Sequence, residues 1–176
     1  MENIRLVKAS LKIAFESGDS ENSEFIKEYY NLIQLNDDPL GAWLRSSKTR
    51  KEADETNQVL LTLLIELHRK VDNLTHTMKT DAPLVLPLKN QENLISIGHG
   101  YFQFENNVLE VGKKYYGRID VPTFPRREMP IFFEAVTENI AKILLMHEDD
   151  EKDWSTYMMA CERVIIRQMK GRENEY

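Results

Sequence analysis

The sequence has few of the residues that would tie it to disulfide or membrane chemistry. Its 176 residues include one cysteine, Cys161, which excludes an intrachain disulfide and a multi-cysteine zinc site and agrees with a reducing compartment. No apolar run approaches the roughly 20 residues of a membrane-spanning helix. Residues 1–5 contain charged side chains of both signs, and this segment lacks the continuous apolar stretch of a signal peptide. We therefore expect a cytoplasmic protein without a membrane span.

Positive charge is also scarce. The chain has 23 Lys and Arg against 29 Asp and Glu, a formal net charge of −6, whereas non-specific binding to phosphate backbones needs a surplus of basic residues. This balance argues against a partner that is a nucleic acid polymer, although a local basic cluster could hold a small anion. What is abundant is ordinary for a folded protein, since 41% of the residues are hydrophobic and 30% are charged.

The first third of the chain has helical spacing. One amphipathic helix is predicted from four apolar residues, Ile4, Val7, Leu11 and Ala14. A second helix is predicted over residues 21–35 and ends before Pro39, because proline cannot continue a helix. Trp43 follows in a short apolar cluster, where a role in core packing is favoured over a role in recognition.

A leucine heptad between residues 53 and 78 predicts a long helix. Its apolar positions alternate spacings of four and three residues, which keeps one stripe on one side of a helix. The positions expected in an oligomer seam are Asn57, Leu60, Leu64, Leu67, Val71 and Leu74. One interpretation is a self-associating coiled coil in which Asn57 fixes the register. Leu61 and Leu63 widen the apolar face, so packing against the chain's own first helices is the other interpretation, and both can hold together.

From residue 84 onward, β-branched and aromatic residues occur in short runs separated by turn residues. The predicted strands are 84–88, 94–97, 101–104, 114–121, 131–137 and 140–146. Short antiparallel strands favour a small six-stranded barrel, because closure removes exposed strand edges. A helix over about residues 150–170 follows, with acidic residues at its start and basic residues toward its end.

The predicted fold class is therefore α+β, in two parts. Residues 1–80 are expected to form a helical bundle or coiled coil, and residues 81–176 a six-stranded antiparallel β-barrel with a C-terminal helix.

The order of these elements resembles that of atypical PilZ-domain proteins. The resemblance covers most of the chain and rests on Trp43-Leu44, the leucine-rich helix, Leu86-Pro87-Leu88, the segment Leu94 to Phe104, Gly112, the proline-rich loop 122–130, and Arg163 with Arg167. It implies a PilZ-like six-stranded barrel, a bacterial source and a place in cyclic di-GMP signalling. Some atypical members of the family oligomerise through a long helix.

The ligand motifs of typical PilZ domains are degenerate in this sequence. Such domains hold cyclic di-GMP with an Arg-x-x-x-Arg stretch just before the first strand and an Asp/Asn-x-Ser-x-x-Gly stretch in the barrel. Before the predicted first strand stand Arg69 and Lys70, with no second arginine nearby. Neither Gly98 nor Gly100 is preceded by serine at the motif spacing.

Two functions are compatible with this pattern. The first is a non-enzymatic signalling or adaptor protein that acts through contacts with a protein partner. The alternative is a cyclic di-GMP receptor that uses non-standard residues. The candidate ligand-binding residues are Arg69, Lys70, Arg118, Arg126, Arg127 and His99. The loop 122–130 and the connection around His99 are expected to form a partner or ligand surface at one end of the barrel.

The sequence offers no catalytic constellation in support of an enzyme. His68 and His76 are eight residues apart, which is not the one-turn spacing of a ligand pair. Cys161 falls on the predicted apolar face of the last helix, where a thiol is normally inert. We expect no enzymatic activity, no metal and no cofactor.

Overall fold

The computed structural model describes residues 4–36, 55–79, 85–122 and 127–173. The elements in these ranges are, in chain order, β1 (Val7–Ser17), α1 (Ser23–Asn36), α2 (Glu55–Lys79), β2 (Asn90–Gly98), β3 (Tyr101–Phe104), β4 (Lys114–Val121), β5 (Arg127–Ala135), β6 (Ile140–Leu145) and α3 (Glu148–Glu173). The prediction made for Trp43 lies outside the described residues. No helix in the described ranges has both the length and the apolar character needed to cross a membrane.

The six strands close into a barrel in the order β1-β2-β3-β6-β5-β4. Every neighbouring pair is antiparallel. The α+β class, the six-stranded barrel and the C-terminal helix are therefore confirmed. β3 and β4 have the predicted bounds, and α2 and α3 lie where the long helix and the last helix were predicted.

The first strand of the barrel is β1, so the helix predicted from Ile4 to Ala14 is wrong. Leu11, Ile13 and Phe15 are buried, and the residues between them are exposed or half-buried. This period of two is what a strand with one face in a barrel core requires. The strand predicted over 84–88 is also wrong in its described part, because residues 85–88 are not in a strand.

The chain divides into two compact units. The barrel unit contains residues 1–26 and 88–176, and the second unit contains residues 27–87. The predicted division at residue 80 differs from this one, because β1 belongs to the barrel. The helical bundle or coiled coil predicted for residues 1–80 is not confirmed, since its first segment is a strand.

Aromatic side chains fill the barrel interior. The ring centroid of Phe15 lies 5.2 Å from that of Phe104, 5.8 Å from that of Tyr115 and 6.2 Å from that of Phe133. The first two pairs are edge-to-face, an arrangement that aromatic rings prefer to a face-to-face sandwich. Phe15 therefore connects β1 to the centre of the core.

Two contacts hold helical residues of the barrel unit against its strands. The ring of Phe25, near the start of α1, stacks on Tyr116 of β4 with 5.0 Å between centroids. Gly18 permits this contact, because a Cβ there would collide with the Phe25 ring. On α3, the buried Trp154 donates a hydrogen bond from Nε1 to the carbonyl of Gly98 at 3.0 Å. α3 is thereby held beside the turn between β2 and β3.

Candidate functional site

A polar groove of about 360 Å³ crosses the outer face of the barrel. Its charged and amide-bearing lining residues are Lys12, Gln91, Glu92, Asn93, Arg118, Asp120 and Glu128. The strand registers place Asn93 opposite Lys12, Lys12 opposite Asp120, and Asp120 opposite Glu128. These residues form one row across β2, β1, β4 and β5, so barrel closure assembles the polar groove from distant parts of the chain.

Arg118 is the most buried charged residue of the polar groove, with 7% of it exposed. Its register partner on β1 is Ala14, a small residue that leaves room for the guanidinium. The Nε of Arg118 donates to Oε2 of Glu128 at 2.9 Å. A ligand phosphate would have to compete with this charge-assisted hydrogen bond.

The charges of the polar groove do not favour an anion. The lining carries two cationic side chains, Lys12 and Arg118, against three carboxylates, those of Glu92, Asp120 and Glu128. A dianionic dinucleotide is therefore a poor electrostatic match for this surface. The arrangement suits a small polar ligand without a large net negative charge.

One end of the barrel, here called the α3 end, brings together several connections. β2, β4 and β6 end there, and β1, β3 and β5 begin there. His99 lies in the turn between β2 and β3, where Gly100 adopts a φ of 71° that favours glycine. The link from β4 to β5 starts and ends at the same end of the barrel. The topology thus puts His99, Pro122 and Arg127 at one end, while their role in binding stays a prediction. The loop predicted over 122–130 is wrong at its end, because residues 127–130 belong to β5.

The candidate ligand residues do not share one cavity. Arg118 lines the polar groove, whereas His99 lines a separate cavity at the α3 end. Arg69 and Lys70 lie on α2, in the second unit. Arg126 lies outside the described residues.

Arg127 is the first residue of β5. Its side chain lies outside the described part of the chain.

The predicted heptad stripe of α2 is exposed in the single chain. The exposed fractions are 55% for Leu60, 61% for Leu64, 59% for Leu67, 50% for Val71 and 62% for Leu74. Among the side chains of α2 that the structure describes, the buried ones are Thr62 and Ile65. Thr62 and Ile65 thus lie on a different face of α2 from the five exposed residues. Asn57 lies in α2, but its side chain is outside the described part of the chain.

Sequence reasoning missed Lys12 of the polar groove. The available signal was the alternation of Leu11, Ile13 and Phe15 around Lys12, which indicates an outward-facing strand residue. Reading residues 4–14 as a helix concealed it. The pairing of Lys12 with Asp120 could not follow from either segment alone.

A large pKa shift occurs on α3, outside the polar groove. Burial raises the pKa of Tyr157, on α3, to about 12, and a hydrogen bond with Cys161 adds to the increase. Within the described ranges, no three His, Cys, Asp or Glu side chains are grouped so as to hold a metal ion.

Comparison of the chain with protein-family models, with curated proteins and with solved structures gives no match.

Proposed function

We propose that this chain is a non-enzymatic bacterial signalling or adaptor protein, in which a PilZ-like barrel carries an inserted helical unit and acts through protein–protein contacts. The observation that supports this proposal is the exposed heptad stripe of α2. Large apolar side chains rarely line up on a monomer surface without an interaction to serve. The resemblance of the element order to atypical PilZ-domain proteins agrees with such a role.

A second copy of the chain is the partner that best fits the heptad stripe. α2 has 25 residues, which corresponds to a length of about 37 Å. Its alternating four- and three-residue spacing is the repeat that lets like helices interlock. Full burial of one leucine side chain contributes roughly 1.5–3 kcal/mol. Five such positions give a substantial driving force for a coiled coil between copies, whose formation would cover the heptad stripe.

A double substitution within the heptad stripe tests this proposal. Leu64→Asp with Leu67→Asp should dissociate the oligomer, because unpaired carboxylates are strongly disfavoured in an apolar seam. Lys27→Glu is a matched control, since it also lowers the net charge by two but lies at an exposed position of α1 rather than in the heptad of α2. Light scattering during size-exclusion chromatography, over a range of concentrations, reports the mass. Wild-type protein that remains a monomer at the highest concentration would refute self-association.

The alternative function, a cyclic di-GMP receptor with non-standard residues, is favoured by one observation at the start of the barrel. Because β1 is the first strand, the place of the family's arginine motif is occupied by Arg5, whose backbone carbonyl contacts Gly98. The positions four residues before and after Arg5 are Met1 and Ala9, so only one of the two arginines is present. Arg5 is also paired with Glu162, at 3.1 Å.

Calorimetric titration with cyclic di-GMP separates the two functions. With one of the family's two arginines and a degenerate second motif, we expect no binding tighter than about 1 μM, which corresponds to roughly −8 kcal/mol. Each missing hydrogen bond to a charged group costs roughly 1.5–3 kcal/mol. A saturable isotherm below that dissociation constant, weakened by Arg5→Ala, would instead establish the receptor function.

A further inference from the structure

A cavity of about 250 Å³ lies at the α3 end of the barrel, separate from the polar groove. It is called the α3-end cavity below. Its apolar lining residues are Ile143, Leu144, Met146 and Trp154, and its polar ones are His99, Glu151 and Ser155. Leu144 is 44% exposed, so apolar surface is open to solvent at this site. The lining of this cavity therefore mixes apolar and polar side chains, a combination that binding sites share.

The walls of the α3-end cavity are fixed by the fold. Met146 and Trp154 are buried, and the indole of Trp154 is held by its hydrogen bond to the carbonyl of Gly98, 3.0 Å long. The backbone N–H of Ile143 donates to the carbonyl of Gly100 at 2.8 Å, which ties β6 to the β2–β3 turn. A site that is already formed loses little conformational entropy when it binds a partner.

The volume of the α3-end cavity limits what it can hold. A closed cavity of about 150 Å³ accommodates benzene, whereas pockets for drug-sized ligands span roughly 300–1,000 Å³. At about 250 Å³, the cavity suits one large apolar side chain and is too small for a dinucleotide.

The negative charge around the α3-end cavity indicates which residues should flank the bound apolar side chain of a partner. Glu151 lines the cavity, and residues 148–153 at the start of α3 carry five carboxylates and one lysine. That lysine, Lys152, is already paired with Glu148 at 3.0 Å and with Asp149 at 3.1 Å. The excess of negative charge favours a cationic group next to the bound side chain.

We propose that the α3-end cavity binds a peptide segment of a protein partner that presents one large apolar side chain next to lysine or arginine. This inference rests on the proposed adaptor role, and it is independent of the heptad stripe of α2. It assigns the α3 end as a partner surface and gives the chemical class of the segment that the cavity recognises.

Three capped synthetic peptides test the proposal against the full-length chain. The probes are Gly-Lys-Phe-Lys-Gly, Gly-Lys-Ala-Lys-Gly and Gly-Glu-Phe-Glu-Gly, titrated into ¹⁵N-labelled protein with amide NMR shifts as the readout. The first should give saturable shifts at Gly100, Glu151 and Ser155. The alanine peptide should bind at least about tenfold more weakly, because it leaves the apolar side chains of the cavity uncovered. The glutamate peptide should bind more weakly than the first because its charges are repelled.

A charge reversal in the protein provides the second arm of the test. Glu151→Lys should weaken the binding of Gly-Lys-Phe-Lys-Gly by about fivefold, which is the upper range for the loss of an exposed ion pair. Glu138→Lys is the matched control, since it makes the same charge change in the exposed turn between β5 and β6, at the opposite end of the barrel. The control should leave the affinity unchanged.

The outcomes separate this inference from the proposed self-association. Absence of saturable shifts with the first peptide, equal binding of all three, or shifts centred away from the α3-end cavity would each overturn the inference. Peptide binding that persists in the Leu64→Asp, Leu67→Asp variant would show that the cavity acts without the oligomer. If the chain still oligomerises but binds no peptide, the peptide-binding role of the cavity is refuted and the self-association proposal stands.

Discussion

At the scale of single residues, contacts with neighbouring side chains stabilise two polar groups of the barrel unit, the guanidinium of Arg118 and the phenol of Tyr157. The guanidinium of Arg118 is balanced by the carboxylate of Glu128. The phenol of Tyr157 is favoured in its neutral form, because burial raises its pKa to about 12. The ion pair holds the side chain of Arg118 in place, and the hydrogen bond with Cys161 holds that of Tyr157. Their energetic role should therefore be visible in stability measurements.

The raised pKa of Tyr157 predicts a loss of stability in strong alkali. A tyrosine titrates near pH 10 when unfolded, and Tyr157 titrates near 12 when folded. Its contribution is fully present below pH 10 and is lost as the pH rises through 12, because deprotonation is easier in the unfolded state. Tyr157→Phe should reduce this loss. Urea unfolding of wild type and variant from pH 9 to 12 measures the difference.

Tyr30→Phe controls for the removal of one phenol from the chain. Tyr30 lies on α1 in the second unit. If wild type and Tyr157→Phe lost stability in parallel throughout the alkaline range, the environment of Tyr157 would have no energetic role.

At the scale of elements, strands were predictable where the chain offered only one periodicity. β3 is mainly aromatic and follows Gly100, and β4 combines aromatic and β-branched residues between Gly112 and Pro122; the bounds of both strands were predicted correctly. β1 was missed because Val7, Leu11 and Ala14 also fit helical spacing. The alternation of Leu11, Ile13 and Phe15 decides in favour of a strand once partner strands exist. Those partners, β2 and β4, are distant in sequence, so local pattern could not reveal them.

The candidate site was less predictable than the fold. Arg118 was identified from the sequence as a candidate ligand-binding residue, but its carboxylate partner Glu128 was not, because their contact depends on the register of β4 with β5. The α3-end cavity could not be predicted because it depends on the packing of Trp154 beside Gly98, two positions more than fifty residues apart. Surfaces assembled by tertiary contacts have no local sequence signature.

The position of β1 in the barrel predicts a large cost for truncating Phe15. This side chain is 2% exposed and contacts three other aromatic rings. Phe15→Ala should lower the free energy of unfolding by about 3–5 kcal/mol, from lost transfer energy and the cavity left behind. Urea denaturation followed by circular dichroism gives the value.

Lys8→Ala, at an exposed position of the same strand, is the control for Phe15→Ala. It should change the free energy of unfolding by no more than about 0.5 kcal/mol. Equal effects of the two substitutions would contradict the inward orientation of Phe15.

At the scale of the whole molecule, the chain forms a barrel unit and a second unit inserted between residues 26 and 88. All six strands and the Phe25–Tyr116 stack belong to the barrel unit. Replacing residues 27–87 by a Gly/Ser linker of roughly ten residues should leave a folded barrel, because a flexible linker adds little constraint. Amide NMR dispersion and cooperative thermal unfolding report the result.

Deletion of residues 4–17 is the contrasting variant. It removes β1 and opens the barrel to leave two unpaired edges, so we expect loss of cooperative folding. A linker variant that failed to fold while its parent folded would show that the second unit is required by the barrel.

The pairing of β1 with β4 sets a delay during synthesis of the chain. Lys12 meets Asp120 only after about 100 further residues have been made, and at about 5–20 residues per second that takes roughly 5–20 s. Throughout this interval Leu11, Ile13 and Phe15 have no finished core to enter. The nascent chain therefore exposes an apolar segment on the ribosome for several seconds. During this time, chaperones that bind extended apolar segments can associate with it.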